Sequence, residues 1–217
     1  MIFIVIFVMQ LLIASDEFHY NIKIKGINAG TALLKSEYYS NEKYKISFIA
    51  KSNKLIDFFY KLRENTVLIV DSNFFSIYEL NQSIRQGKYK KQTYATVDYE
   101  SQIIHYNNKE IEFEQKIYSP LSLIYYLKDQ NLLVNKKFNF QIFENGKIKN
   151  INVDVIRNET IQLHKEFMNC HVLNIQVLNN EKEFDNIMTL YISDSQIQQP
   201  VMIKSKIKQG EMVLTIK

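Results

Sequence analysis

The chain has 217 residues, 46% of them hydrophobic, which allows a large buried core and excludes a disordered polypeptide. Its 27 basic and 23 acidic side chains leave a formal charge of +4, mixed in sign. That balance suits a hydrated surface and falls short of the concentrated basic footprint of a nucleic-acid binder.

Met1 to Ser15, MIFIVIFVMQLLIAS, is apolar and uncharged. It is shorter than the ~20 residues of a spanning helix. With small residues at Ala14 and Ser15 it reads as the apolar region of a secretory signal, residues 1–15, ahead of one β-rich domain over 16–217. From Asp16 the period becomes two. Phe18, Tyr20, Ile22 and Ile24 share one face, and His19, Asn21, Lys23 and Lys25 the other, the alternation of a strand with one wet side. Gly26–Gly30 is expected to be a turn, followed by strands at Thr31–Tyr39 and Tyr44–Lys51.

Asn53 to Leu62 breaks the alternation with Leu55, Ile56, Phe58, Phe59 and Tyr60. A short helical turn or apolar crossing over the end of a barrel is expected there. Strands resume at 65–71, 74–81 and 88–99, then at 102–106 and 110–118.

Ser119 to Leu133, SPLSLIYYLKDQNLL, is the firm helix, expected over about 119–131. Ser119 supplies an N-cap hydroxyl and Pro120 a first helical residue with φ already set. Leu121, Leu123, Ile124, Tyr125, Tyr126 and Leu127 cover almost the whole circumference, with Ser122 and Asp129 as the polar side. Such a helix is normally buried. Asn145-Gly146 then marks a hairpin between alternating segments. Further strands are expected at 160–165, 171–177, 187–193, 201–208 and 212–217. The expected fold is therefore mostly β, a single curved antiparallel sheet, barrel-like or sandwich, clasping one buried helix.

Several segments resemble a bacterial family, domain of unknown function 3108. Ser119-Pro120-Leu121-Ser122-Leu123-Ile124-Tyr125-Tyr126 is similar to its D-x-L-S-x-x-Y-Y helix. Tyr191-Ile192-Ser193-Asp194-Ser195 with Pro200-Val201 and Gly210 is similar to its W-x-S-D-D-x-x-x-x-P-V strand pair. Gly26 to Gly30, Tyr60 to Glu64 with Asp71, and Arg85, Tyr89, Asp98 and Tyr99 follow in the family's order. Ser119, Tyr191 and Ser195 depart from the family's usual Asp, Trp and Asp. The resemblance implies an exported, β-rich envelope protein with no assigned activity; the expected location is periplasmic or otherwise exported, with association to the outer membrane left open.

The residues offer few chemical constellations. His164 and His171 would face each other on paired strands if 166–169 formed a four-residue loop, but a closed metal site needs more ligands than that. Cys170 and His171 are adjacent and so point to opposite strand faces. The lone Cys170 cannot form an internal disulfide and is expected to be buried. Arg85, Lys88, Lys90 and Lys91 with Tyr89 and Tyr94 fit an anionic partner, or more cheaply a lysine-protected edge strand. No catalytic residue, cofactor site or metal site is expected. The expected function is a non-catalytic binding module for an apolar or lipid-like ligand. The alternative is a structural or protein-interaction component of the envelope without a small-molecule ligand, its edge strands pairing with a partner by strand addition. Neither nucleic-acid binding nor membrane spanning after signal removal is expected.

Overall fold

A computed structural model describes residues 15–40, 42–59, 61–179, 183–207 and 210–217, with backbone only for 59, 178–179 and 183–187. The apolar leader assigned to residues 1–15 thus lies almost wholly outside the described residues. So does Gln209 of the final turn.

Strand β1 (Asp16–Ile24) runs into β2 (Ile27–Ser40) and β3 (Lys43–Ser52). Helix α1 (Lys54–Phe59) leads to β4 (Leu62–Asp71), β5 (Ile77–Gln86) and β6 (Tyr89–Asp98). Short strands β7 (Ile103–Tyr106), β8 (Lys109–Glu112) and β9 (Ile117–Tyr118) precede helix α2 (Pro120–Lys128). The chain ends with β10 (Lys137–Glu144), β11 (Lys147–Leu163), β12 (Glu166–Asn179), β13 (Glu183–Ser193), β14 (Pro200–Ile207) and β15 (Gly210–Ile216).

All fifteen strands form one sheet, in the order β8-β7-β6-β5-β4-β3-β2-β1-β15-β14-β13-β12-β11-β10-β9. Neighbours are antiparallel except β9 and β10, which run parallel. The two edge strands, β8 and β9, are joined by only residues 113–116, so the sheet must curl until its edges nearly meet. Among the described residues no ladder closes that seam. Side chains bridge it: Lys91 Nζ donates to Asn145 Oδ1 at 2.9 Å, and Tyr106 meets Phe143 edge-on at 5.5 Å. The fold is mostly β and barrel-like, as the alternation predicts.

The inward row Phe18, Leu34, Phe48, Thr66, Gln82, Thr93 crosses six strands in register and shows the period-two pattern closing on one interior. Helix α2 plugs one end of this interior. Leu123, Ile124, Tyr125 and Leu127 are buried. Tyr125 stacks on Phe75 at 5.9 Å and leans on Phe18 at 6.3 Å. On its other side Tyr126 packs edge-on against Tyr118 and Phe140. Its start is the expected one: Ser119 caps and Pro120 follows. Ser122, expected on a wet side, is instead fully buried and closes a capping box, its hydroxyl accepting from Ser119 N–H at 3.0 Å while Ser119 Oγ accepts from Ser122 N–H at 3.1 Å. The helix stops at Lys128, three residues before the expected end. Lys128 there bonds Asp16 and Asp129 at 3.0 and 2.9 Å.

Other boundaries move for local reasons. The expected Gly26–Gly30 loop is only a two-residue turn, Lys25-Gly26, both with positive φ, the twist-matched type I′ pattern. Asn145-Gly146 has the same pattern, at φ 55° and 75°. Phe74 and Phe75 precede β5 instead of starting it, because Phe75 takes φ 56° to turn its ring into the core. The expected strand 110–118 is broken into β8 and β9 at the seam. The segments 148–155 and 160–165 belong to one long strand, β11, bulged between Val155 and Arg157. That bulge reverses which face is buried. Beyond it, Ile161 and Leu163 join Cys170, Val172, Tyr191 and Val201 in a second, smaller core on the outer face.

Candidate functional site

The end of the barrel opposite α2 is open, and small residues explain why. Ala29, Ala50 and Ser52 face inward where large aliphatic side chains would otherwise fill a barrel. Ile22, Leu62 and Met212 complete the walls of a cavity of about 130 Å³. A dry engineered cavity of roughly 150 Å³ holds a benzene molecule, so this one accepts a ring or a short alkyl segment.

Helix α1 covers part of the mouth and turns Ile56 into the cavity. Asn53 starts it: Asn53 Oδ1 accepts from Ile56 N–H at 2.9 Å, while Asn53 N–H and Nδ2 reach back to Ala29 O and Asn28 O at 2.9 and 2.8 Å. A clamp holds the helix down. Arg63 Nη1 and Nη2 donate to the two oxygens of the Asp57 carboxylate, and Ser52 Oγ donates to it as well. The Arg63 bonds, then the Ser52 bond, lower the Asp57 pKa from an ordinary 3.8 to about 2. A depressed carboxylate contributes fully above its unfolded pKa and is lost as pH falls through the folded value. The clamp should therefore be complete above pH 3.8 and release as pH falls toward 2. Asp57→Asn should raise amide exchange across 54–59 at neutral pH while leaving the global melt nearly unmoved. Unchanged exchange there would refute the clamp.

One acid lies on the cavity wall. Glu64 is half-buried, set between Ala50 and Ile84 on the inward face. Its Oε1 accepts from Gln82 Nε2 at 3.0 Å and Thr66 Oγ1 at 3.2 Å. Desolvation raises its pKa despite these bonds, and Glu144 across the interior adds to the rise. The nearby Thr93 hydroxyl is buried without a partner among the described residues. The cavity is thus apolar at its walls with a polar pole at Glu64.

The constellations noted in the sequence fall elsewhere. His164 and His171 do not face each other. A two-residue turn, His164-Lys165, joins β11 to β12, with His164 at φ 56°, and His171 pairs with Asn158. The two-residue hairpin sets that register. His171 Nδ1 contacts Asn158 Oδ1 at 2.8 Å and Nε2 contacts Asp194 Oδ1 at 3.3 Å. Both ring nitrogens are occupied, so none is left to activate the neighbouring Ser193 hydroxyl, which pairs with Ser195 at 2.9 Å. Cys170 is buried with its thiol pKa pushed up to about 11 by desolvation, a poor nucleophile. No group of three or more potential metal ligands exists among the described residues.

The basic cluster does sit at the open end. Among the described residues, Tyr89–Tyr94 of β6 pair only with β5, since β7 pairs with no residue before Ala95. Sequence reasoning missed what this strand continues. Lys51, Arg63, Arg85 and Lys90 lie side by side in register across β3, β4, β5 and β6, on the outer face beside α1.

A single curled antiparallel sheet, plugged by a helix at one end and hollow at the other, defines a barrel-like protein with an apolar cavity. The chain belongs to the family described as "Protein of unknown function (DUF3108)", which matches residues 19–217. Its fold is similar to that of the crystallised beta-barrel-like protein of domain of unknown function DUF1849 from Brucella abortus. The TM-score is 0.65, over 95% of this chain and 96% of the other, at 9% identity. No curated protein matches the chain. The segment Ser193-Asp194-Ser195 knits the β13–β14 connection: Asp194 N–H donates to Asn169 O at 2.8 Å, and Ser193 Oγ accepts from Gln199 N–H at 2.9 Å. Tyr191 anchors the second core.

Proposed function

We propose that the protein is a non-catalytic binding module of the cell envelope, exported by residues 1–15, whose open-end cavity takes an apolar or lipid-like ligand. The observation that carries this is the hollow left by Ala29, Ala50 and Ser52 beneath α1. Filling it would have been simple: each fully buried Leu or Phe contributes roughly 1.5–3 kcal/mol. The open end instead forgoes that stability. The engagement of both nitrogens of His171 supports a role without catalysis. The outer face carries Lys35, Glu37, Lys45, Arg63 and Arg85, an unsuitable coat for a lipid-facing barrel. No helix among the described residues is long and apolar enough to cross a membrane.

The test uses N-phenyl-1-naphthylamine, whose fluorescence rises in apolar surroundings and of which one ring can enter the cavity while the rest lies in its open mouth. The parent should bind it with saturation, and Ala50→Phe, which fills the cavity, should lower affinity at least about tenfold while retaining the fold. Equal binding by both proteins would overturn the reading. The free stretch Tyr89–Tyr94 favours a second reading, an envelope component that captures a protein strand by edge addition. Crosslinking in cells through a photoreactive residue at Gln92 should then trap one discrete partner, and a ladder-free monomer would end it.

A further inference from the structure

The row Lys51, Arg63, Arg85, Lys90 places four cations on adjacent strands, each directly opposite the next. Like charges so opposed destabilise a sheet. Only Arg63 is offset, by Asp57; among the described residues Lys51, Arg85 and Lys90 form no ion pair. Beside the row stands α1 with Leu55 80% and Phe58 84% exposed, and Ile27 on the β1–β2 turn is 65% exposed. Lys25 and Lys54 are exposed among them. Exposed apolar side chains beside a row of cations, at the mouth of an apolar cavity, match the interface of an anionic bilayer, where cations meet headgroups and Leu and Phe enter the acyl boundary. A nucleic acid would use the cations but would leave Leu55 and Phe58 in water.

We infer that the open end docks on the surface of an anionic lipid bilayer, through the row Lys51–Arg63–Arg85–Lys90 and the apolar tips Leu55, Phe58 and Ile27. This goes beyond the cavity's ligand and does not depend on it. In this pose the cavity mouth faces the membrane, so a lipid-like occupant would pass between the two without crossing water.

The experiment is co-sedimentation of the mature chain with vesicles of phosphatidylglycerol and phosphatidylcholine, against phosphatidylcholine alone. The parent should bind the anionic vesicles only, and less as salt rises. Arg85→Glu with Lys90→Glu should weaken binding by more than about thirtyfold, since losing the two cations alone costs roughly fivefold each and the two added anions are repelled by the anionic surface. Its melting point should hold, because the repulsion between positions 63 and 85 becomes an attraction while positions 85 and 90 still carry like charges. Arg85→Gln with Lys90→Gln gives the same test with a smaller perturbation. Leu55→Ser with Phe58→Ser should weaken binding while keeping its salt dependence. Failure of the parent to bind, indifference to the charge variants, or tighter binding to a single-stranded oligonucleotide than to the vesicles would overturn the inference. Loss of vesicle binding with retained N-phenyl-1-naphthylamine binding separates this surface from the cavity.

Discussion

Leu127→Asp should abolish cooperative folding at neutral pH. Leu127 is fully buried on the inner side of α2. Its replacement forfeits roughly 1.5–3 kcal/mol of apolar burial. An ionised carboxylate there adds an effective penalty of several kcal/mol. Together these approach the entire ~5–15 kcal/mol by which a domain is stable. The acid can escape part of the cost by taking a proton. A partial recovery of structure near pH 4 would therefore identify burial of charge as the cause. Tyr126→Phe is the contrasting change. Tyr126 is half-buried and keeps its ring contacts with Tyr118 and Phe140, so the variant should melt within about 0.5 kcal/mol of the parent. Circular dichroism melts decide it. A Leu127→Asp protein that unfolds alongside the parent would mean that α2 is not what the sheet is clasped around.

The plug was legible because its signals are local. Ser119-Pro120 starts a helix by capping and fixed φ, and apolar residues all round it leave it nowhere to go but inside. Hairpins such as Asn145-Gly146 are equally local. What the sequence could not show are properties of register. The face-switch at Val155–Arg157 is one extra residue in a strand, and nothing in the alternation before it announces the change; the second core of Ile161, Leu163 and Cys170 follows from it. His164 and His171 would face each other across a loop at 166–169, but the turn falls at His164-Lys165, its centre three residues earlier, and such a shift changes every pair. The cavity arises because Ala29, Ala50 and Ser52, each unremarked in its own strand, meet on one wall. The cation row is the same case. Arg85 and Lys90 were visible as a basic cluster, but Lys51 and Arg63 join them only once four strands are aligned.

Gly30→Ala should be strongly destabilising without abolishing the fold, for a reason rooted in the cavity wall. Gly30 lies in β2, pairing with Ile22 on one side and Ser52 on the other, beside the bulged Ala29. A Cβ at Gly30 would stand 2.1 Å from Lys51 O and 2.9 Å from Ser52 Cα. These are backbone atoms of β3, whose other side is tied to β4 through Lys51–Arg63 and Ala50–Glu64. β3 cannot give without unpairing, so the cost should exceed the usual 1–3 kcal/mol of overpacking, at about 3–4 kcal/mol. The same segment carries Ala29 O and Asn28 O, which hold the start of α1. The damage should therefore reach function: the cavity should bind N-phenyl-1-naphthylamine poorly even below the melting point. Gly26 provides the control, since it has positive φ but nothing within 4 Å of a Cβ. Gly26→Asn, which tolerates the left-handed region, should cost no more than about 1 kcal/mol. Urea titrations of the two variants that superimpose would show that the close approach of β2 to β3 does not shape the open end.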